Sequence, residues 1–222
     1  MSEARAQILD AIRRRLKRAE LPGQRRAELD RRLQEPPRHR IPARSLLPHA
    51  ERLELFVKMA LEAAATVDRA GSMAAVPRTV EAFLKRETLP LDVVLAPAVE
   101  LAGLPWDETD LTVRRGRAGD GDRVTVTPAF AGIAETGTLM LLSGPHSPTT
   151  LNFLPDVHIV VLKTSRIVGP YEDAWTLLRR EKGAMPRTVN LITGPSRSAD
   201  IEQTLQLGAH GPVRLHIVLV GE

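Results

Sequence analysis

A chain of 222 residues, 43% hydrophobic and 26% charged, is long enough to bury one sizeable α/β core, and its 3% aromatic content makes that core aliphatic. Cysteine is absent, which excludes disulfides, thiolate nucleophiles and cysteine-ligated zinc or iron–sulfur centres in this chain. The net charge of +4 is unevenly spread: residues 1–44 hold 13 Lys+Arg against 6 Asp+Glu, leaving 18 against 21 for the rest.

The basic pI therefore belongs to the N-terminal segment. There Ile8, Leu9, Ile12 and Leu16 sit at helical spacing with arginines opposite. Pro22-Gly23 breaks this helix, a weaker one follows around Arg25 to Leu33, and QEPPRHRIPARSLLP reads as a linker ending near Ser45. No aromatic residue falls in residues 1–44, so stacking on bases has no platform and protein docking is favoured over nucleic acid. The segment has no apolar run of signal-peptide length, and no stretch approaches the roughly 18 apolar residues of a membrane span. A cytoplasmic location with no membrane span is the expectation.

From Pro48 the pattern changes. Leu53, Phe56, Val57, Ala60, Leu61 and Ala64 form the buried stripe of a helix. Met73 to Val76 reads as a short strand and Pro77 to Glu87 as a helix. Leu91 to Ala96 is an apolar run suited to a strand covered on both faces. GRAGDGD (116–122) reads as a hairpin-like turn leading to the strand Arg123 to Thr127, since the loop length and terminal glutamate of a calcium site are missing.

Next come Gly132-Ile133-Ala134, the polar turn Glu135-Thr136-Gly137-Thr138, and the apolar strand Leu139 to Leu142. A carboxylate and two hydroxyls beside a glycine at a buried strand are costly unless hydrogen-bonded or used. Glu135 is the candidate for chemistry, as base or nucleophile; the alternative is a carboxylate pinning a turn. In the loop Ser143 to Ser147, Ser147 is the expected helix N-cap with Pro148 at the first helical position. Val157 to Leu162 is a further buried strand, and Tyr171 to Glu181 a helix with Trp175 and Leu178 facing in.

Residues 189–220 read as one βαβ unit: strand Val189 to Ile192, turn, helix Ser198 to Leu207, breakers Gly208, Gly211 and Pro212, and strand Val213 to Val220. Thr193 to Ser198 would then lie where backbone amides at a helix start can cradle an anion, or merely cap the helix with help from Asp200 and Glu202. The expected fold is a three-layer α/β/α domain over residues 45–222 with a mostly parallel sheet, preceded by a helical arm over 1–44.

The common nucleotide loops and the serine-hydrolase elbow are absent. Asp156 and His158 share a strand face, but no third metal ligand is identifiable, so no metal is assigned. Glu135, Thr136, Gly137 and Thr138 are expected to face Thr193, Gly194, Pro195, Ser196 and Ser198 across one cleft suited to a small carboxylate or phosphate. His146 and His210 are the nearest candidates to carry a proton or positive charge.

AETGTLML, LPDVHIVVL and TGPSRSADIEQTLQLGAHGP, followed by a last apolar strand, resemble the LUD-domain family of the lactate-utilisation protein C type. The resemblance implies an α/β/α fold like that of ribose-5-phosphate isomerase and the CoA-transferases. It also implies a part in oxidising L-lactate to pyruvate beside partner proteins that carry iron–sulfur clusters, with no cofactor assigned to this chain. Two other readings stay open. One is an independent CoA-transferase-like or sugar-phosphate isomerase-like enzyme using Glu135. The other is a regulatory or nucleic-acid-binding module led by the arginine-rich arm.

Overall fold

The structure is a computed structural model that describes residues 3–17, 19, 21–38, 40–198, 206–208 and 210–221. It divides into two units, Met1–Arg40 and Ile41–Glu222. In the first, α1 (Glu3–Arg15) and α2 (Gly23–Gln34) bury no residue, and Ile8, Ile12, Leu16 and Leu33 are exposed.

The second unit is built on a six-stranded sheet. Its strands are β1 (Thr66–Ala70), β2 (Asp92–Leu95), β3 (Thr112–Arg115), β4 (Val124–Pro128), β7 (Val157–Lys163) and β12 (Arg214–Val220), in the spatial order β1-β12-β7-β4-β2-β3. Every pairing in it is parallel. Strand alternation divides the core in two. Val157, Ile159 and Val161 of β7 face α4 (Val76–Arg86) through Val80, Phe83 and Leu84; Val160 and Leu162 face α3 (His49–Glu62) through Phe56 and Ala60. The short helix α5 (Val99–Ala102), which follows β2, adds Leu101 to the α4 side of the core. This is the mostly parallel α/β sheet with helices on both sides that the alternating pattern implies.

A second sheet lies against the α3 side. It contains β5 (Ala131–Ile133), β6 (Thr138–Leu142), β8 (Ile167–Val168) and β9 (Val189–Ile192), in the order β8-β5-β6-β9. Leu139 and Leu141 of β6 join the core beneath it, while Ala131, Ile133 and Met140 pack outward on Ala174 and Leu178 of α7 (Tyr171–Lys182). The Leu139–Leu142 run thus sits between the parallel sheet and a further helix.

Several local expectations need correction. Met73–Ala75 is a 3-10 turn, and the strand at this place is Thr66–Ala70, which pairs with β12 at the sheet edge. Residues 116–122 do not close a hairpin, because β3 and β4 run parallel on opposite sides of β2. Asp122 organises that turn by accepting from Arg114 and from the Gly119 amide. Ser147 is not a helix cap: it exchanges backbone hydrogen bonds with Gly144 in a tight turn, and the short helix α6 (Thr150–Phe153) starts later.

The largest correction concerns residues 189–220. Strands β9 and β12 belong to different sheets, so no βαβ unit joins them. Where a helix is expected over Ser198 to Leu207, Arg197–Ser198 (β10) and Gln206–Leu207 (β11) pair as antiparallel strands. Its middle, residues 199–205 with Asp200 and Glu202, lies outside the described residues.

Candidate functional site

The antiparallel pairing of β6 with β9 sets Leu139 opposite Ile192, and so brings Thr138 beside Thr193. Their hydroxyls lie 2.6 Å apart. Thr138 Oγ1 also meets Thr136 Oγ1 at 2.6 Å and the Tyr171 hydroxyl at 2.9 Å, and Thr136 reaches the same phenol at 2.9 Å. Four hydroxyls own four protons, and four hydrogen bonds join them. Every O–H is consumed inside the cluster, and only lone pairs remain. Thr138, fully buried, is its hub.

Two glycines explain why the turns meet here. Gly137 has φ +66° and a Cβ on it would collide with the backbone of Ala60. Gly194 has φ +72° and its Cβ would collide with the Ala63 carbonyl. Both turns are therefore pressed on the C-terminal end of α3, where only glycine fits. Arg197 Nη2 donates to the Ala63 carbonyl at 2.9 Å, a cation at the negative end of the helix dipole. Glu135 begins this arrangement. Its amide donates to the Gly169 carbonyl at 3.1 Å, its side chain is half-buried, and no ion pair among the described residues engages its carboxylate.

The remaining expected residues divide. Ser196 donates its amide to the Pro212 carbonyl at 2.9 Å, accepts from the Gly208 amide at 3.0 Å, and its hydroxyl accepts from the His210 amide at 3.3 Å. Ser196 and His210 thus close the loop that follows Thr193-Gly194-Pro195, and the Ser196 amide is already used. Ser198 lies in β10 opposite Gln206 rather than at a helix start. His146 stands apart. It lies beyond the other end of β6, which is about 14 Å from Thr138 at about 3.4 Å per residue, and meets the Pro97 carbonyl at 3.1 Å.

Tyr171 is the member the sequence did not suggest, since one aromatic at a helix start carries no distinctive pattern. The buried histidines are structural. His158 Nε2 meets Thr127 Oγ1 at 2.7 Å, and burial pushes its pKa down to about 3. His216 Nδ1 meets Thr66 Oγ1 at 2.8 Å, its ring stacks on Phe83, and burial holds its pKa at about 4 against the opposing pull of Asp68. Asp156 pairs with Arg123 at 2.8 Å rather than with His158. Among the described residues, no cluster of three or more His, Asp or Glu is arranged to hold a metal, and no helix is long and apolar enough to cross a membrane.

Both polar turns fall inside a recognisable segment: residues 123–220 match the LUD domain. A protein of Neisseria meningitidis serogroup B described as uncharacterised is 45% identical over 92 residues, covering 41% of this chain and 40% of that one. The lactate utilization protein C of Anoxybacillus flavithermus is 34% identical over 119 residues, covering 52% of this chain and 51% of the relative. That of Geobacillus thermodenitrificans is 35% identical over 129 residues, covering 56% and 52%. The matches thus span about half the length of these relatives. The crystal structure of a DUF162-family protein from Deinococcus radiodurans shares the fold, with a TM-score of 0.59 and 24% identity over 79% of this chain and 99% of that one. Over residues 123–220, this chain is thus similar to the LUD domain family.

Proposed function

We propose that this protein works in lactate utilisation, as a cytoplasmic subunit of a system that oxidises L-lactate to pyruvate beside iron–sulfur partner proteins. The observation that carries the reading is the likeness of the segment holding both polar turns to relatives named lactate utilization protein C. The chemistry of the chain agrees with it. Oxidising lactate to pyruvate removes two electrons and two protons, and a chain without cysteine ligates no iron–sulfur cluster to take those electrons. Its own contribution is then to hold the substrate and to move a proton.

Glu135 is the group assigned to that task. The hydroxyls of Thr136, Thr138, Tyr171 and Thr193 spend their protons on one another, so they fix the two turns instead of donating to a carboxylate. Glu135 sits next to this rigid cluster with a carboxylate in no ion pair among the described residues, a fitting acceptor for the proton of a substrate hydroxyl. Growth of a strain lacking the gene tests the reading. The strain should fail on L-lactate as sole carbon source, grow on pyruvate, and recover with the wild-type chain. Undiminished growth on lactate without the gene would end it.

A further inference from the structure

The carboxyl ends of β2, β4 and β7 open onto a cleft that takes no part in the Glu135 region. One lobe, of about 380 Å³, is walled by Ala98, Pro128, Phe130, Leu142, Pro145 and His146, among others. A second lobe, of about 310 Å³, adds Lys163, Arg166 and Glu181. Glu100, Pro128, Ala129, Phe130 and Lys182 line both. A crevice beyond the carboxyl ends of parallel strands is where open α/β sheets take their ligands, and these volumes suit a small organic molecule.

The charges around it are not equivalent. Arg166 is fully engaged: it forms a two-pronged pair with Glu181 at 2.7 and 2.9 Å, donates to the Phe130 carbonyl at 2.9 Å, and lies 4.6 Å from the centre of the Phe130 ring. It is a wall, with its charge cancelled. Lys163 and Lys182 are in no ion pair among the described residues, and Lys182 Nζ stands 5.9 Å from the same ring. Among the residues lining the cleft, Glu100 is the carboxylate left to oppose them, so one positive charge remains in excess. A carbonyl can only accept, so His146 Nδ1 donates to Pro97 at 3.1 Å, which fixes the orientation of the ring in the cleft wall.

We propose that this cleft binds an organic anion with a flat or apolar body, the body lying on Phe130, Pro128 and Leu142 and the anionic head meeting Lys163 and Lys182. A carboxylate and a phosphate ester share this chemistry. The site is independent of the lactate reading and of Glu135.

Calorimetry on the full chain with phenyl phosphate, benzoate and benzyl alcohol tests it. These probes share a ring and differ in the head. At least one of the two anions should bind tenfold or more tightly than benzyl alcohol, and the better one identifies the head group. The double substitution Lys163→Gln and Lys182→Gln should weaken that anion at least tenfold and leave benzyl alcohol unchanged. Glu100→Gln should tighten it severalfold by removing the opposing charge, and Glu135→Gln should change nothing. All three side chains in these cleft variants are exposed, so the melting temperature should hold. Equal binding of the three probes, or an anion preference that survives loss of both lysines, would overturn the proposal.

Discussion

The two ends of the β5–β6 hairpin are polar in opposite ways. At the Thr138 end, four hydroxyls satisfy one another and two glycines press the turns onto α3. At the Phe130–Leu142 end, two lysines in no ion pair among the described residues and a histidine surround an open, apolar-floored cleft. Polar content alone does not mark a binding site. What separates the two ends is whether hydrogen-bonding and charge capacity is already spent.

Glycine substitutions should show the largest contrast. Gly137→Ala puts a methyl group into the backbone of Ala60 at a positive φ, and should cost about 4 kcal/mol or more. At the other end, a methyl group on Gly144 would meet nothing within 4 Å, and Gly144→Ala should stay within about 0.5 kcal/mol. Urea unfolding of the two variants measures this directly, and comparable losses would remove the distinction between a packed end and an open one.

Acid unfolding sharpens the comparison, because hydroxyls do not titrate near neutrality and the cluster should be indifferent to mild acid. The sensitivity should come from the parallel sheet, through His158 and His216. Both have folded pKa values below the ordinary 6.5, about 3 and about 4. Below pH 6.5 the unfolded chain therefore binds more protons than the folded one. Their contribution is fully present above pH 6.5 and is lost as the pH falls from there toward 4 and 3. Each histidine adds a slope of up to about 1.4 kcal/mol per pH unit in that window. His216→Gln should flatten the stability–pH curve between 6.5 and 4, and an unchanged slope would show that His216 titrates normally.

Much of the fold was legible because burial imposes pattern. Leu91 to Ala96 and Val157 to Leu162 read as covered strands since both faces are packed; of the expected α3 stripe, Leu53, Phe56, Val57 and Ala60 pack into the core, whereas Leu61 is exposed and Ala64 lies past the end of the helix. Thr66–Ala70 escaped because this edge strand, TVDRA, is only partly buried and carries two charges, Asp68 and Arg69, which pair with Arg86 of α4 and Glu54 of α3. The misreading of residues 189–220 has a related cause: an apolar run marks a strand without naming its sheet. At the site, Thr136, Thr138 and Thr193 were visible as polar interruptions, and the structure makes them neighbours. The cleft left no local trace, since its walls are drawn from positions as distant as Met73 and Pro186.

In the proposed function Glu135 acts while its hydroxyl neighbours only hold. A gene-deletion strain complemented with Glu135→Gln or with Thr138→Val, grown on L-lactate, measures it beside the melting temperature of each purified chain. Thr138→Val removes the hub of the cluster and should cost about 1–3 kcal/mol, with growth following the folded fraction. Glu135→Gln keeps the shape of the side chain and removes its charge. The expected result for Glu135→Gln is an unchanged melting temperature and no growth on lactate. Growth at the wild-type rate, or growth that merely tracks a lowered melting temperature, would contradict it.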